Sequence, residues 1–319
     1  MKNDKLKKIL VFAFYPLVLL RRKVAVSKQK RLAMKDPFSY IAMHYERYYK
    51  KKMNLENPTT LYEKIFWMEY YSDTSEWTRL TDKVAVRDYV KECGLENILN
   101  EVYAVYETVP EKNTLFKNLP NAFVLKTNNS GGGSAILVRD KNHCNKCRII
   151  KNITKYFNDD YGARTAQPHY SSIEPKIVVE KLLINEQEPK KSLTDYKFFC
   201  FNGVPKCVNA IEDRNLKFHT ANDQYFDMNW KRICLNDVDS EIPDIQQPSS
   251  FEEMIRIAKI LSAPFPFVRV DLYEVDHQPI FGELTFTPGM DGFCLYEHNF
   301  LHYANLIDLS KVLRVKFHN

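Results

Sequence analysis

Residues 268–290 read VRVDLYEVDHQPIFGELTFTPGM, and the rest of the chain is arranged around them. VRVDLY and IFGELTF each alternate, and VDHQP between them carries turn residues, so the stretch reads as two strands and a short turn. A hairpin symmetric about His277 sets Asp271 opposite Glu283 and Arg269 opposite Thr285. Side chains alternate along a strand, so these four share one face. The other face collects Val268, Val270, Leu272, Ile280, Leu284 and Phe286, a core face. Two carboxylates directly opposite each other repel, and folding alone gives no reason for the pairing. A divalent cation does: Mg²⁺ prefers hard oxygen ligands and is commonly held by one or two carboxylates plus phosphate oxygens. Left without a cation, one of the two carboxyls is expected to keep its proton to a higher pH. The competing reading is an ordinary solvated hairpin, against which stand the apolar flanks and the adjacent Arg269. A slip of one residue would put the pair on opposite faces, so the reading depends on register.

Upstream, FEEMIRIAKILSAPF (251–265) reads as a helix with Met254, Ile257, Ala258 and Leu261 on one side. In DYKFFCFNGVPKCVNA (195–210), Asn202-Gly203 between apolar runs signals a hairpin. Arg214 follows in IEDRN; it has the fork geometry to hold a carboxylate, and a local salt bridge with Glu212 or Asp213 is the equal alternative. IEPKIVVEKLLI (173–184) reads as a buried strand ending at Glu180. NAFVLKT, NNSGGGS and AILVRD (121–140) read as a hairpin with a glycine-rich tip, whose backbone N–H groups can fold over phosphates. Lys126 ends the strand entering that loop, where its ammonium can meet a phosphate; a flexible tip with a solvated lysine is the alternative. No Gly-Lys-Ser/Thr follows and no helix opens after it, which excludes a Walker A loop, and the spacing is not a dinucleotide fingerprint. Further upstream, LTDKVAVRDYVKECG reads as a helix from about Thr81 to Cys93 stopped by Gly94. NPTTLYEKIFWMEYY reads as a helix capped by Thr59 or Thr60, with Glu63 in reach for a capping box.

The chain has 319 residues, 20 Phe, 19 Tyr and 9 Gly, a globular composition with material for a substantial core. The net charge of +6 is concentrated in residues 1–52, and the near-neutral remainder speaks against nucleic acid as a partner. Seven cysteines form no even framework, which points to a reducing, cytoplasmic setting. Cys144 and Cys147 make one CxxC beside His143, with no second pair at zinc spacing. In residues 1–23 the apolar run Ile9 to Leu20 is too short to span a bilayer, and Pro16 interrupts it. Basic residues bracket it, so it is either an interfacial segment at the inner face of a membrane or a core helix with a basic start.

In their order these blocks resemble the TupA-like ATP-grasp family of polysaccharide biosynthesis, over about Asn57 to Gly292. The resemblance implies an α+β fold in which two subdomains grasp ATP, with a helical N-terminal extension. The expected division is 1–30, a basic and apolar N-terminal segment; 31–119, a helical substrate region; 120–185, the lid subdomain; and 186–319, the subdomain with the Mg²⁺ site. Carried over block by block, Lys83 and Lys126 match the two phosphate- and adenine-side lysines, and Gly131, Gly132 and Gly133 the mobile lid. Glu180, Lys181 and Leu183 match the hinge at the adenine edge, Asp195 the acidic residue on the ribose, and Lys231, loosely, a γ-phosphate lysine. Asp271 and Glu283 match the magnesium carboxylates, and Arg269 the arginine beside the phosphoryl-bearing intermediate. Thr285 stands where ATP-grasp ligases often carry Asn; its hydroxyl can ligate a metal or hold a water.

What the resemblance implies for function is an ATP- and Mg²⁺-dependent carboxylate–amine ligase. It would work through an acyl phosphate on a hexuronic acid of a surface polysaccharide, with an amino acid or other amine as co-substrate. A sugar phosphotransferase and a nucleotide-sugar glycosyltransferase are the competing enzyme classes. For the latter, the D-x-D of Asp237 and Asp239 lies in a polar loop with no apolar strand ahead of it. A non-catalytic binding module is disfavoured by the near-complete set of lysines and carboxylates.

Overall fold

A computed structural model of the protein describes residues 27–185, 191–215, 220–233, 242–289 and 303–315. The N-terminal part is helical, as expected. In α1 (Pro37–Tyr49) Asp36 caps the helix by accepting from Ser39 N. In α2 (Leu61–Tyr71) Thr60, rather than Thr59, is the cap, and the capping box is present. Glu63 takes more than its share: its carboxylate accepts from the backbone N–H of Asn54, Thr59 and Thr60 at 2.9, 2.9 and 3.0 Å. The helix expected over 81–93 starts later, as α4 (Val86–Glu92), and a separate helix, α3 (Ser75–Thr81), precedes it. Asp82 Oδ1 accepts from Val84 N at 2.7 Å, and this local turn separates the two helices and leaves Lys83 between them.

Then come β1 (Val102–Tyr106), α5 (Lys112–Lys117), β2 (Phe123–Thr127), β3 (Ile136–Val138), α6 (Lys146–Phe157), α7 (Tyr161–Thr165), α8 (Pro168–Ser171) and β4 (Ile177–Lys181). The strands form one sheet in the order β1-β4-β2-β3, antiparallel throughout. Strand β1 has no counterpart in the sequence reading, which placed the first strand after Pro120. A small core fills one face, with Phe123, Leu125, Ile177 and Val179 of the strands against Leu115 and Phe116 of α5 and Ile149 and Ile153 of α6.

The second sheet is built from β5 (Asp195–Phe201), β6 (Val204–Asn215), β7 (Thr220–Phe226), β8 (Arg232–Ile233), β9 (Phe267–Val275) and β10 (Gln278–Thr285). Its order is β10-β9-β5-β6-β7-β8. The Asn202-Gly203 hairpin is present, both residues at positive φ (49° and 76°), as a two-residue turn of matched twist requires. Helix α9 (Phe251–Ser262) lays Met254, Ile257, Ala258 and Leu261 on the sheet, each fully buried. Burial of Met254, Ile257 and Leu261 contributes about 1.5–3 kcal/mol each relative to exposure. The N-terminal helices belong to this larger core: Trp77 stacks on Phe286 at 4.9 Å, and Tyr89 Oη donates to Leu261 O at 3.0 Å. Helices and two antiparallel sheets make the α+β fold that was expected. Among the described residues no helix is long and apolar enough to cross a membrane, and residues 1–23 lie outside them.

Candidate active site

The hairpin of β9 and β10 pairs Asp271 with Glu283 and Arg269 with Thr285, as its alternation implied. The route to that register differs from the symmetric one. The turn is the two residues Asp276 and His277, at φ 50° and 63°, so Val275 pairs Gln278 and Leu272 pairs Phe281. A bulge between Phe281 and Glu283 then restores the facing of the carboxylates. Gly282 permits it, because a Cβ there would stand 2.9 Å from Asp271 O and 3.2 Å from Tyr273 Cε2. The bulge also corrects the expected core face: outward of it the parity changes, so Phe281 is buried and Ile280 only half-buried.

Around the pair stands a cluster of cations. Arg269 grips Asp271 with two hydrogen bonds, Nε to Oδ1 and Nη2 to Oδ2, both 2.6 Å. Its Nη2 also lies 3.0 Å from Thr285 Oγ1 and 3.3 Å from Glu283 Oε1. From β5, in register with Asp271, Lys197 Nζ reaches Asp271 Oδ2 at 2.5 Å and Asp195 Oδ2 at 2.7 Å. Asp271 is 2% exposed, whereas the Glu283 side chain keeps 31%, so the cluster opens on its Glu283 side. Burial alone would push the Asp271 carboxyl up, but Arg269 and Lys197 outweigh it and hold that carboxyl below its ordinary value. The expected retention of a proton therefore does not occur at Asp271: the chain's own cations sit where repulsion was anticipated. Arg269 is in turn held firmly protonated: burial works against its charge, but Asp271, Glu283 and Asp195 override it.

The four-stranded sheet presents a second cluster. Lys126 Nζ pairs with Glu180 Oε2 at 2.8 Å, the two residues lying on neighbouring strands β2 and β4. Lys83 joins the sheets: its Nζ donates to Ser130 O in the glycine loop at 2.5 Å and stands 3.9 Å from Glu283 Oε2. Burial lowers its pKa, opposed by the Glu283 carboxylate and reinforced by Lys126. Gly131 lies under a tyrosine, such that a Cβ there would meet Tyr161 Oη at 2.3 Å; Gly132 has open space and Gly133 a φ of +93°. Tyr161 and Tyr170 stack edge to face at 5.0 Å. Burial raises both phenols, and the Glu283 carboxylate adds to this.

The structure thus brings Lys83, Lys126, Glu180, Gly131, Asp195, Arg269, Asp271, Glu283 and Thr285 into two facing clusters. Lys181 follows Glu180 with its side chain exposed and its carbonyl accepting from Asn100 Nδ2 at 2.9 Å; Leu183 is half-buried just beyond. Lys231 is exposed in the β7–β8 turn, at the opposite edge of the six-stranded sheet from β10. The side chain of Arg214 and the pair Asp237/Asp239 lie outside the described residues. Three residues of the clusters escaped the sequence reading: Lys197, Tyr161 and Tyr170. Lys197 was within reach, since it lies two residues from Asp195 and so on the same face of its strand. The tyrosines sit on short helices, and nothing local marks them.

The sequence profile of the TupA-like ATP-grasp family matches residues 63–299. The chain belongs to this family. It is accordingly an ATP-grasp enzyme. Among solved structures, the ATP-grasp chain is similar to D-alanine–D-alanine ligase from Bacillus anthracis complexed with ATP, at 13% identity over 77% of this chain and 70% of that one, TM-score 0.45. It is similar to the D-alanine–D-alanine ligase of Helicobacter pylori at 13% identity, over 76% and 68%, TM-score 0.41. D-cycloserine synthetase DcsG matches at 12% identity, over 71% and 72%, TM-score 0.41. No curated protein matches the sequence.

Proposed function

We propose that this ATP-grasp ligase activates a hexuronic acid of a cell-surface polysaccharide as an acyl phosphate, with ATP and Mg²⁺, and joins it to an amine. The observation that carries the reading is the facing of the two clusters, Arg269–Asp271–Glu283–Thr285 on one sheet and Lys83–Lys126–Glu180 with the glycine loop on the other. The donor set suits Mg²⁺: two carboxylates on adjacent strands, one of them open to the cleft, need only phosphate oxygens and water to complete its shell. Bound there, the ion would neutralise phosphate charge.

In this reading Lys83, Lys126 and the backbone of Gly131, Gly132 and Gly133 hold the phosphates. Glu180, Lys181 and Leu183 line the adenine edge, and Asp195 meets the ribose. Arg214 orients the substrate carboxylate. An oxygen of that carboxylate attacks the γ-phosphorus, and the bridging oxygen leaves with ADP while Arg269 faces the charge that develops. The amine nitrogen then attacks the acyl carbon, and phosphate leaves with a proton from the nitrogen. The uronic acid rests on the family's place in polysaccharide biosynthesis, and the basic segment 1–23 suits a peripheral contact at the cytoplasmic membrane face.

The test is to incubate the enzyme with Mg-ATP, glucuronic or galacturonic acid and hydroxylamine. A hydroxamate formed with stoichiometric ADP and phosphate is expected. ADP release with a phosphorylated sugar and no hydroxamate would make the enzyme a phosphotransferase instead.

A further inference from the structure

A cavity of about 180 Å³ opens beside the end of β10, walled by α1, α2, the 165–167 turn and residues 287–289. A wider groove of about 1020 Å³ lies on the far side of Glu69, between α1, α2 and residues 314–315, and no residue of the two clusters lines it. The smaller cavity is tied to the clusters. Thr287, two residues beyond Thr285, donates to Gln167 Oε1 at 2.6 Å. Gln167 also hydrogen-bonds Tyr161, the tyrosine over Gly131 whose phenol feels Glu283 and Arg269. One side chain therefore touches the cavity wall and the roof of the glycine loop.

The lining has a definite chemistry. Tyr40, Tyr62 and Phe66 give it aromatic walls. Tyr62 Oη is anchored on Gly289 O at 2.5 Å, and the Tyr40 ring lies 4.5 Å from that of His44. His44 Nε2 is buried and has no hydrogen-bond partner among the described residues. Burial first, and Arg47 second, lower the His44 pKa, which favours the neutral ring, and in the Nδ1–H tautomer its Nε2 can accept from an amino group. Among the described residues no lysine or arginine lines the cavity; Glu69 borders it, its carboxyl fully buried 3.2 Å from His169 Nδ1 and its pKa pushed up by burial.

We propose that this cavity is the subsite for the amine co-substrate, and that it takes small amines carrying no carboxylate of their own, with His44 Nε2 as the partner of the amino group. The proposal rests on the ligase reading and narrows its second substrate from amino acids to simple amines. A liquid water occupies about 30 Å³, so the space suits a few heavy atoms rather than a run of sugars. A ligand carboxylate would be buried against aromatic rings with no lysine or arginine among the described lining residues to pair it. An ammonium finds aromatic faces and a neutral imidazole. The proton balance also closes. The ammonium gives one proton to His44 and attacks as the free amine. As the C–N bond forms and the C–O bond to phosphate breaks, the second proton leaves with phosphate.

The test uses the full chain and a matched pair of probes, ethanolamine and serine, which differ only by a carboxylate. Calorimetry should show ethanolamine binding at least about tenfold more tightly than serine, and H44F should weaken ethanolamine by about tenfold while H44Q, which stays polar, weakens it far less. In the wild type, ethanolamine should shift the His44 ring-proton NMR signals, identified by their absence in H44Q. This readout stands even where H44F does not fold. Serine binding as tightly as ethanolamine, an unmoved His44 signal, or no ethanolamine binding would each overturn the proposal. Ethanolamine bound at His44 with no hydroxamate formed from any uronic acid would instead sink the ligase reading and leave the cavity as an amine site.

Discussion

Replacing Lys197 with methionine keeps the length of the side chain and removes its charge from between two carboxylates. The Lys197 side chain is 13% exposed, and its partners Asp195 and Asp271 are 7% and 2% exposed. Deleting one partner of a buried pair typically costs about 3–5 kcal/mol, because the other charge is left uncompensated. Asp271 keeps its two hydrogen bonds from Arg269, which places the expected loss near the lower end, about 3 kcal/mol. At about 2 °C per kcal/mol for a chain of this size, the melting temperature should fall by about 6 °C. The pH dependence follows from the depressed Asp271 carboxyl, which burial raises and Arg269 and Lys197 lower. Such a group contributes stability that is present above its unfolded pKa and lost as pH falls through its folded one. K197M raises the folded value, so its acid loss begins at higher pH. The gap to wild type should be widest near neutrality and close in acid, where Asp271 is protonated in both. Urea denaturation at neutral and acid pH measures this. D195N/K197M should recover part of the loss, since it removes one of the two carboxylates that the lysine balances. K197M as stable as wild type at neutral pH, or a double variant no better than the single, would refute the reasoning.

E283Q keeps the shape of a side chain that is 31% exposed, so it should fold with stability within about 1 kcal/mol of wild type and lose at least about 100-fold in turnover. Full activity there would remove Glu283 from the metal site. K126A should weaken ATP by about 1.5–3 kcal/mol through loss of a charge-assisted contact, and unchanged affinity by calorimetry would remove Lys126 from the nucleotide site. G131A puts a methyl 2.3 Å from Tyr161 Oη, whereas G132A adds one in open space, so the first should slow turnover and the second should not. Equal rates would show that the loop does not work against Tyr161. Deleting residues 1–23 should leave an ATP-binding protein with reduced co-sedimentation on anionic vesicles; equal co-sedimentation would end the membrane reading.

What could be read from the sequence follows the range of the forces involved. The pairing of Asp271 with Glu283 was legible because alternation has a period of two and the core face enforces register. The same logic missed the bulge, because a bulge is a local exception that glycine allows but does not announce. Ile280 and Phe281 consequently exchanged roles. The Asn202-Gly203 turn and the Thr60 cap were legible because each is a short-range device with a known residue preference. The break before α4 was not foreseen, since Asp82 in LTDKVAVR reads equally well as helix interior and as turn. Lys197 and the two tyrosines were missed for a different reason: their roles come from strands and helices that meet only in the folded chain. Lys197↔Asp271 is a pairing across 74 residues of sequence.

The bulge at Gly282 separates the hairpin into two lengths that keep independent count. Inside it, the facing of Asp271 and Glu283 is fixed by neighbours on β5 and by a backbone approach too close for any side chain. Outside it, Asp276 and His277 close an exposed tip whose own parity never reaches the carboxylates. The tip is therefore a natural splice point. A longer loop, an epitope or a spectroscopic label grafted there alters the outline of the molecule while the chemistry at the base keeps its geometry.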